Sequence, residues 1–201
     1  MSVVKVPYNK FSKLGLFLVM LLTNNLCAYA RLGETEIQCA DRYGAPKNDP
    51  VTKIYEKASP LIEGGITHTY DYQGWQLKIA FLQLGGPAVR IQFSKKSQPG
   101  VSSVVTEQEI TAILNANTPS GTTWTKVAYD NPNSPNTGLS KMFEGIIMEG
   151  AGSKTWKRTD GATAQVQSPM MMLLELPIAR QYEAQIKQQK EQKARASVPT
   201  F

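Results

Sequence analysis

The residue types that most often carry catalysis or bind metals are scarce in this chain of 201 residues. It contains one histidine, His68, and two cysteines, Cys27 and Cys39. A single histidine excludes His-rich metal sites and most Ser–His or Cys–His catalytic pairs. We interpret His68 as a surface or turn residue, and Cys39 as a buried thiol that behaves like a small hydrophobic residue. The sequence therefore predicts no metal site, no cofactor and no catalytic residue.

Motifs that would indicate a particular reaction are missing from the sequence as well. It contains no G-x-S-x-G, Walker or G-x-G-x-x-G pattern, the patterns that present a nucleophilic serine or hold nucleotide phosphates. Several carboxylates have structural explanations: Asp160 suits a turn, and Glu107 and Glu109 suit the positive end of a helix dipole. An enzyme of unrecognised class, in which two carboxylates meet from distant positions and act on an envelope polymer, remains an alternative.

A binding site is predicted instead around one tryptophan with basic neighbours. Lys154, Lys157 and Arg158 lie within two residues of Trp156, and Trp and Arg are enriched among the residues that dominate interface energies. On a strand, Trp156 and Arg158 share one face, where a buried Arg158 would need a paired carboxylate. We do not expect Asp160, at a turn, to be that partner. Trp156, Arg158 and Lys154 are therefore predicted to lie on an accessible face and bind a protein or cell-envelope component.

Residues 1–30 have the features of a secretory signal peptide. Lysines precede an apolar run at residues 14–22, which is too short to span a bilayer. Ala28 and Ala30 form an A-x-A cleavage site, so Arg31 is the predicted first residue of the mature chain. We therefore expect a secreted or periplasmic protein whose mature chain has no transmembrane span.

The alternatives at the N-terminus are an uncleaved anchor and a lipoprotein acylated at Cys27. Leu26, directly before Cys27, disfavours acylation because a small residue is expected there. Cleavage before Arg31 would leave Cys39 as a lone cysteine, so the mature chain would have no intramolecular disulfide and would depend on burial for its stability.

The formal net charge of +6 is concentrated at the two ends of the chain. Residues 31–177 contain 14 basic and 14 acidic side chains, whereas residues 178–201 contain 5 basic and 2 acidic ones. A neutral body argues against a nucleic-acid-binding surface, which needs a basic patch. The segment 178–201 is predicted to be a polar basic tail, which docks as a helix by its first two turns, frays afterwards and contacts anionic surfaces weakly.

Two stretches of the body have the same order of elements, a capped helix followed by antiparallel strands. Thr35 and Gln38 form a predicted capping box, as do Thr106 and Glu109. Segment 47–66 is predicted to be a connecting loop with no more than one irregular turn of helix. The first helix is expected to bury Ile37, Ala40 and Tyr43. The predicted strands are 67–72, 75–81 and 88–95 in the first stretch, then segments near 142–148, 155–158, 162–167 and 170–176, with turns at Gln73–Gly74 and Asp160–Gly161.

The fold class predicted from this order is α+β, with two tandem units of a short capped helix plus an antiparallel meander. The first unit covers residues 31–100 and the second 101–177, followed by the tail 178–201. We interpret the two units as a structural repeat, although two ordinary α+β units without common origin would produce a similar pattern.

The phrase LGETEIQCADRYGAP, followed by aromatic-rich strands at residues 70–81, resembles the helix-then-sheet unit of SmpA/OmlA-type outer-membrane assembly lipoproteins. The matching positions are Leu32–Gly33, the helix to Tyr43, and Gly44 with Pro46. Two such units in one exported chain are similar to the β-lactamase inhibitor protein architecture. The resemblance implies an architecture only. The expected function, an exported non-catalytic binding or envelope-assembly module, rests mainly on the lack of catalytic motifs in the sequence. Besides the enzyme, a second alternative to the binding module is a structural protein that is tethered to the envelope by its basic tail.

Overall fold

The computed structural model describes residues 31–100, 102–127 and 154–196, which form a seven-stranded antiparallel sheet with four α-helices. The helices are α1 (Glu36–Tyr43), α2 (Pro50–Ala58), α3 (Glu107–Ala116) and α4 (Pro177–Ala196). The strands are β1 (Ile66–Tyr72), β2 (Trp75–Phe81), β3 (Ala88–Lys95), β4 (Trp124–Val127), β5 (Thr155–Arg158), β6 (Thr163–Ser168) and β7 (Met171–Glu175). The α+β class is therefore confirmed. The predicted signal peptide, with Ala28 and Ala30, and the strand expected near 142–148 lie outside the described residues.

Both predicted capping boxes are present. The Thr35 hydroxyl accepts a hydrogen bond from the Gln38 N–H at 3.4 Å, and the Gln38 side chain accepts one from the Thr35 N–H at 2.8 Å. Thr106 and Glu109 make the same reciprocal pair at the start of α3, at 3.2 and 2.8 Å. Helix α1 ends at Gly44, whose φ of 83° is readily adopted only by glycine. These local signals determine where the helices begin and where α1 ends.

The prediction of a loop over residues 47–66 is wrong, because this segment contains helix α2. The Asp49 carboxylate accepts a hydrogen bond from the Thr52 N–H at 2.9 Å, which caps the helix. Pro50 occupies the first turn, where a missing N–H leaves no hydrogen bond unmade. Helix α2 then contacts β1.

Helix α1 buries a different face from the one predicted. Cys39 and Tyr43 are buried, as expected, but Ile37 is largely exposed. Glu36 points toward β1 instead, where its Oε1 lies 2.7 Å from Nε2 of His68. The covered side of α1 therefore combines Cys39 and Tyr43 with a polar contact from Glu36 to the neighbouring strand, which the apolar spacing of α1 does not reveal.

The strand order of the sheet is β1-β2-β3-β7-β6-β5-β4. Strands β1 and β2 form a hairpin through Gln73 and Gly74, both of which have positive φ. In the middle of the sheet β3 pairs with β7, with Phe93 opposite Met172. This pairing unites strands from the two predicted units, 31–100 and 101–177, in one sheet. That the units are a tandem repeat stays a prediction.

One face of the sheet carries the main hydrophobic core, which helices α1 and α3 cover. The core includes Cys39 and Tyr43 from α1, and Ile110, Ile113 and Leu114 from α3. The sheet contributes buried residues from six strands: Tyr70, Trp75, Leu77, Ile79, Phe81, Ile91, Phe93, Trp156, Ala164, Met172 and Leu174. Trp75 and Trp156 are thus core residues. The two helices that the sequence predicted, α1 and α3, both pack on this one face of the sheet.

A smaller buried cluster and a network of charges attach α4 to the rest of the protein. Ala179 of α4 packs with Ile62, Ala80 and Val89. Beside this cluster, the guanidinium of Arg90 on β3 donates to the carboxylates of Glu175 and Glu183 and to the carbonyl of Leu61. Burial acts to lower the pKa of Arg90, but its hydrogen bonds to the two carboxylates outweigh that effect and raise it. Arg90 therefore joins α4 to the sheet.

Helix α4 does not fray after two turns, as predicted, but continues to Ala196. Beyond Ile186 its side chains are exposed as far as residue 195, so the basic half of the predicted tail 178–201 lies on a helix that is open to solvent. None of the helices in the described ranges is both long and apolar enough to cross a bilayer.

Candidate functional site

The predicted binding residues Trp156 and Arg158 lie on the covered face of the sheet. Strand β5 directs both side chains toward α3, and their exposed fractions are 8% for Trp156 and 3% for Arg158. The prediction that they share an accessible face is therefore wrong. Lys157, between them, is exposed on the opposite face, as strand alternation requires.

Arg158 can be buried because all of its guanidinium nitrogens have acceptors. Its Nε and Nη2 donate to the two carboxylate oxygens of Asp160 at 2.8 and 2.7 Å, and its Nη1 donates to the carbonyl of Asn117. The Trp124 ring lies 5.3 Å from the guanidinium carbon, within the range of a cation–π contact. Asp160 is thus the carboxylate partner that the sequence argument rejected. The hydrogen bond from Arg158 holds the pKa of Asp160 below its usual value.

Lys154, the third predicted binding residue, is half-buried and forms an ion pair with Glu107 in the first turn of α3. This pair connects the start of β5 to the helix that covers it. Arg31, the predicted mature N-terminus, is exposed beside Leu32, whose N–H donates to the Asn117 side chain at 2.7 Å. Both contacts are structural, and Trp156, Arg158 and Lys154 do not form an exposed binding patch.

The polar residues that sequence reasoning considered for chemistry meet between α1 and β1. His68 lies in β1, at the start of the strand predicted for residues 67–72, but it is half-buried rather than on the surface, with Nε2 against Glu36. Burial acts to raise the pKa of Glu36, but hydrogen bonds from the Gly85 N–H and from His68 outweigh it and lower the pKa. Cys39 is fully buried, and burial raises the pKa of its thiol to about 12.

The raised pKa and the full burial of Cys39 do not suit nucleophilic catalysis, because a reactive cysteine needs a lowered pKa and access to substrate. No group of three or more His, Cys, Asp or Glu side chains in the described part of the chain has the geometry to hold a metal ion. The Glu36–His68 contact joins α1 and the loop at Gly85 to β1, which is a structural role.

One cavity adjoins the predicted cluster, between α3 and β4. We call it the threonine groove; its volume is about 420 Å³. Its walls comprise residues of α3 and the turn after it, residues of β4 and the turn before it, and one residue of β5: Thr111, Leu114, Asn115, Thr118, Thr122, Thr123, Trp124, Lys126 and Trp156. The Trp124 indole N–H donates to the carbonyl of Leu114 at 3.0 Å, which fixes the orientation of the ring. Trp156, the tryptophan of the predicted binding site, is therefore a buried residue that forms part of the wall of this groove.

Helix α2 carries a second feature that sequence reasoning missed. Its Val51, Ile54 and Tyr55 are 61%, 66% and 63% exposed, respectively. The spacing i, i+3, i+4 places the three side chains on one side of the helix, and we call this surface the α2 stripe. The opposite side carries Glu56, which is buried and accepts a hydrogen bond from Lys53 at 2.9 Å. Asp49 followed by Pro50 was the sequence signal for this helix.

No protein-family model matches the chain, and no characterised protein or solved structure matches it either.

Proposed function

We propose that the protein is an exported, non-catalytic module that binds a protein partner of the cell envelope through the α2 stripe. The observation that carries the proposal is the exposure of Val51, Ile54 and Tyr55 together on one side of α2. Large apolar side chains grouped on a surface mark interaction sites, whereas the same residues scattered singly would need no explanation. Tyr55 adds a residue type that is enriched at interfaces.

A protein partner fits the stripe better than a lipid surface does. In residues 49–58 the charges of Lys53 and Lys57 are balanced by those of Asp49 and Glu56, so this segment carries no net positive charge. Electrostatic attraction to anionic lipid needs an excess of basic residues, which α2 lacks. Apolar residues at i, i+3 and i+4 match the way in which one helix packs against a groove or another helix.

A photo-crosslinking amino acid at position 54 would test this proposal in envelope extracts, with the same label at Lys157 on β5 as control. We expect one discrete protein adduct from position 54 and none from position 157. The change Tyr55→Ser should reduce the adduct without lowering the melting temperature, because this side chain is already exposed. Labelling of lipid, or equal labelling from both positions, would contradict a protein partner at α2.

Export belongs to the same proposal and rests on the signal-peptide features of residues 1–30. Mass spectrometry of secreted or periplasmic material should give Arg31 as the first residue. A species that retains residues 1–30, or that is acylated at Cys27, would contradict this part of the proposal.

We also propose a weak electrostatic contact between α4 and an anionic surface. Lys187, Lys193 and Arg195 are exposed on the C-terminal half of α4. Lys190 in the same segment pairs with Glu63, which leaves fewer free charges. Cosedimentation with anionic vesicles, weakened by salt and by Lys187→Gln with Lys193→Gln, tests this contact. Cosedimentation that does not respond to either change would contradict it.

A further inference from the structure

The threonine groove presents hydrogen-bond acceptors to whatever enters it. The hydroxyl groups of Thr111, Thr118 and Thr122 each donate to a backbone carbonyl, at 2.8, 2.7 and 2.7 Å. A threonine hydroxyl has one proton to donate and two lone pairs to accept with. Because their protons are already donated to backbone carbonyls, these three hydroxyl oxygens can act toward a ligand only as hydrogen-bond acceptors. A complementary ligand therefore needs several donors, such as the hydroxyl groups of a sugar.

The Trp124 ring and the charge of the groove further limit the classes of ligand that would fit. Trp124 is half-buried and held by its indole N–H, so it offers a rigid apolar surface of the kind on which the C–H face of a pyranose ring packs. Lys126 is exposed on the same wall, and no described residue lining the groove is acidic. A bound cation would meet the Lys126 ammonium unfavourably, whereas a carboxylate on the ligand would be stabilised by it.

Other ligand classes fit these walls less well. A sulfate ion has only acceptors to offer. It could pair with the Lys126 ammonium, but it would give the three threonine oxygens no donor, and the threonine protons could reach it only by leaving their backbone carbonyls. A purely apolar ligand would displace water from the threonine oxygens and leave their lone pairs without a donor. The cavity volume of about 420 Å³ lies in the range of small-molecule sites.

We propose that the threonine groove binds an acidic oligosaccharide, with one pyranose ring against Trp124, its hydroxyl groups donating to the threonines and its carboxylate near Lys126. This inference concerns a different surface from the α2 stripe and does not depend on a protein partner there.

The test is a calorimetric titration of the purified protein with an oligogalacturonate, and with a neutral oligosaccharide of equal length. The acidic sugar should bind saturably and the neutral sugar more weakly. Lys126→Met should weaken binding of the acidic sugar about tenfold and remove its advantage over the neutral one. Thr118→Val and Thr122→Val should each weaken both sugars about three- to tenfold, the range expected when one net hydrogen bond is lost.

Matched controls lie on the opposite face of the same strands. Thr125→Val on β4 and Lys157→Met on β5 change the same residue types and should leave both affinities unchanged. The proposal is overturned if neither sugar binds saturably, or if Thr118→Val and Thr122→Val bind as the unchanged protein does while remaining folded. It is also overturned if binding of the acidic sugar is lost on Lys187→Gln with Lys193→Gln but kept in Lys126→Met, which would assign the binding to α4.

Discussion

Replacing Asp160 should destabilise the protein much more than a turn residue on the surface normally would. Asp160 has 40% of its side chain exposed, yet its carboxylate is the charged partner of Arg158, whose side chain is only 3% exposed. Removing one partner of a buried ion pair leaves the other charge uncompensated, which costs about 3–5 kcal/mol. Because the Asn117 carbonyl still accepts from Arg158, we expect Asp160→Ala to lower the free energy of unfolding by about 3 kcal/mol, the low end of that range.

Two further variants separate the charge from the turn. Asp160→Asn keeps one side-chain acceptor, which the Ala162 N–H can still use, but removes the charge and the second acceptor oxygen, so it should cost less than Asp160→Ala. In an Arg158→Met background no buried charge depends on Asp160, and the effect of Asp160→Ala should then fall below about 1 kcal/mol. Lys157→Ala, exposed on the same strand, should change stability by about 0.5 kcal/mol or less.

Urea denaturation of these variants, followed by tryptophan fluorescence, would measure the free energies. An effect of Asp160→Ala that is equally large with and without Arg158 would refute the reasoning, because the cost would then belong to the turn. The pH dependence provides a second check. The pKa of Asp160 is lowered in the folded state, so the pair contributes fully above the unfolded value near 3.8 and is lost as pH falls through the lower folded value. Asp160→Asn should remove that part of the acid sensitivity.

Three other outcomes follow from contacts elsewhere in the fold. Thr106→Ala removes the hydroxyl that caps α3 and should lower the free energy of unfolding by about 1 kcal/mol in urea denaturation, whereas an unchanged value would contradict the capping role. Arg90→Met should release α4, seen as faster amide hydrogen exchange in residues 177–186 with little change in β2; uniform protection would show that Ala179 packing alone holds the helix. The Cys39 thiol, with a pKa raised to about 12, should not react with a thiol reagent at neutral pH unless the protein unfolds, and rapid labelling of the native protein would contradict its burial.

The sequence alone was sufficient for the features that depend on residues close together in the chain. The capping boxes at Thr35 and Thr106 and the turn at Gln73–Gly74 follow from contacts within four residues, which short patterns encode directly. Alternating apolar residues located β2 and β3 because strand alternation is equally local. The start of helix α2, which was not predicted, is also encoded locally, because Asp49 and Pro50 mark it.

Only the tertiary structure decided which polar groups are buried together. Arg158 finds the Asn117 carbonyl, which lies 41 positions away in the chain, and Arg90 finds Glu183, which lies 93 positions away. The sequence is enough to show that burying an unpaired arginine is costly. It does not show whether acceptors from distant parts of the chain will lie close enough to form hydrogen bonds with that arginine. The same holds for the α2 stripe and the threonine groove, because exposure and cavities depend on which elements pack against each other. Long-range packing, such as that of α3 over β5, therefore determined which side chains are buried and where the threonine groove lies.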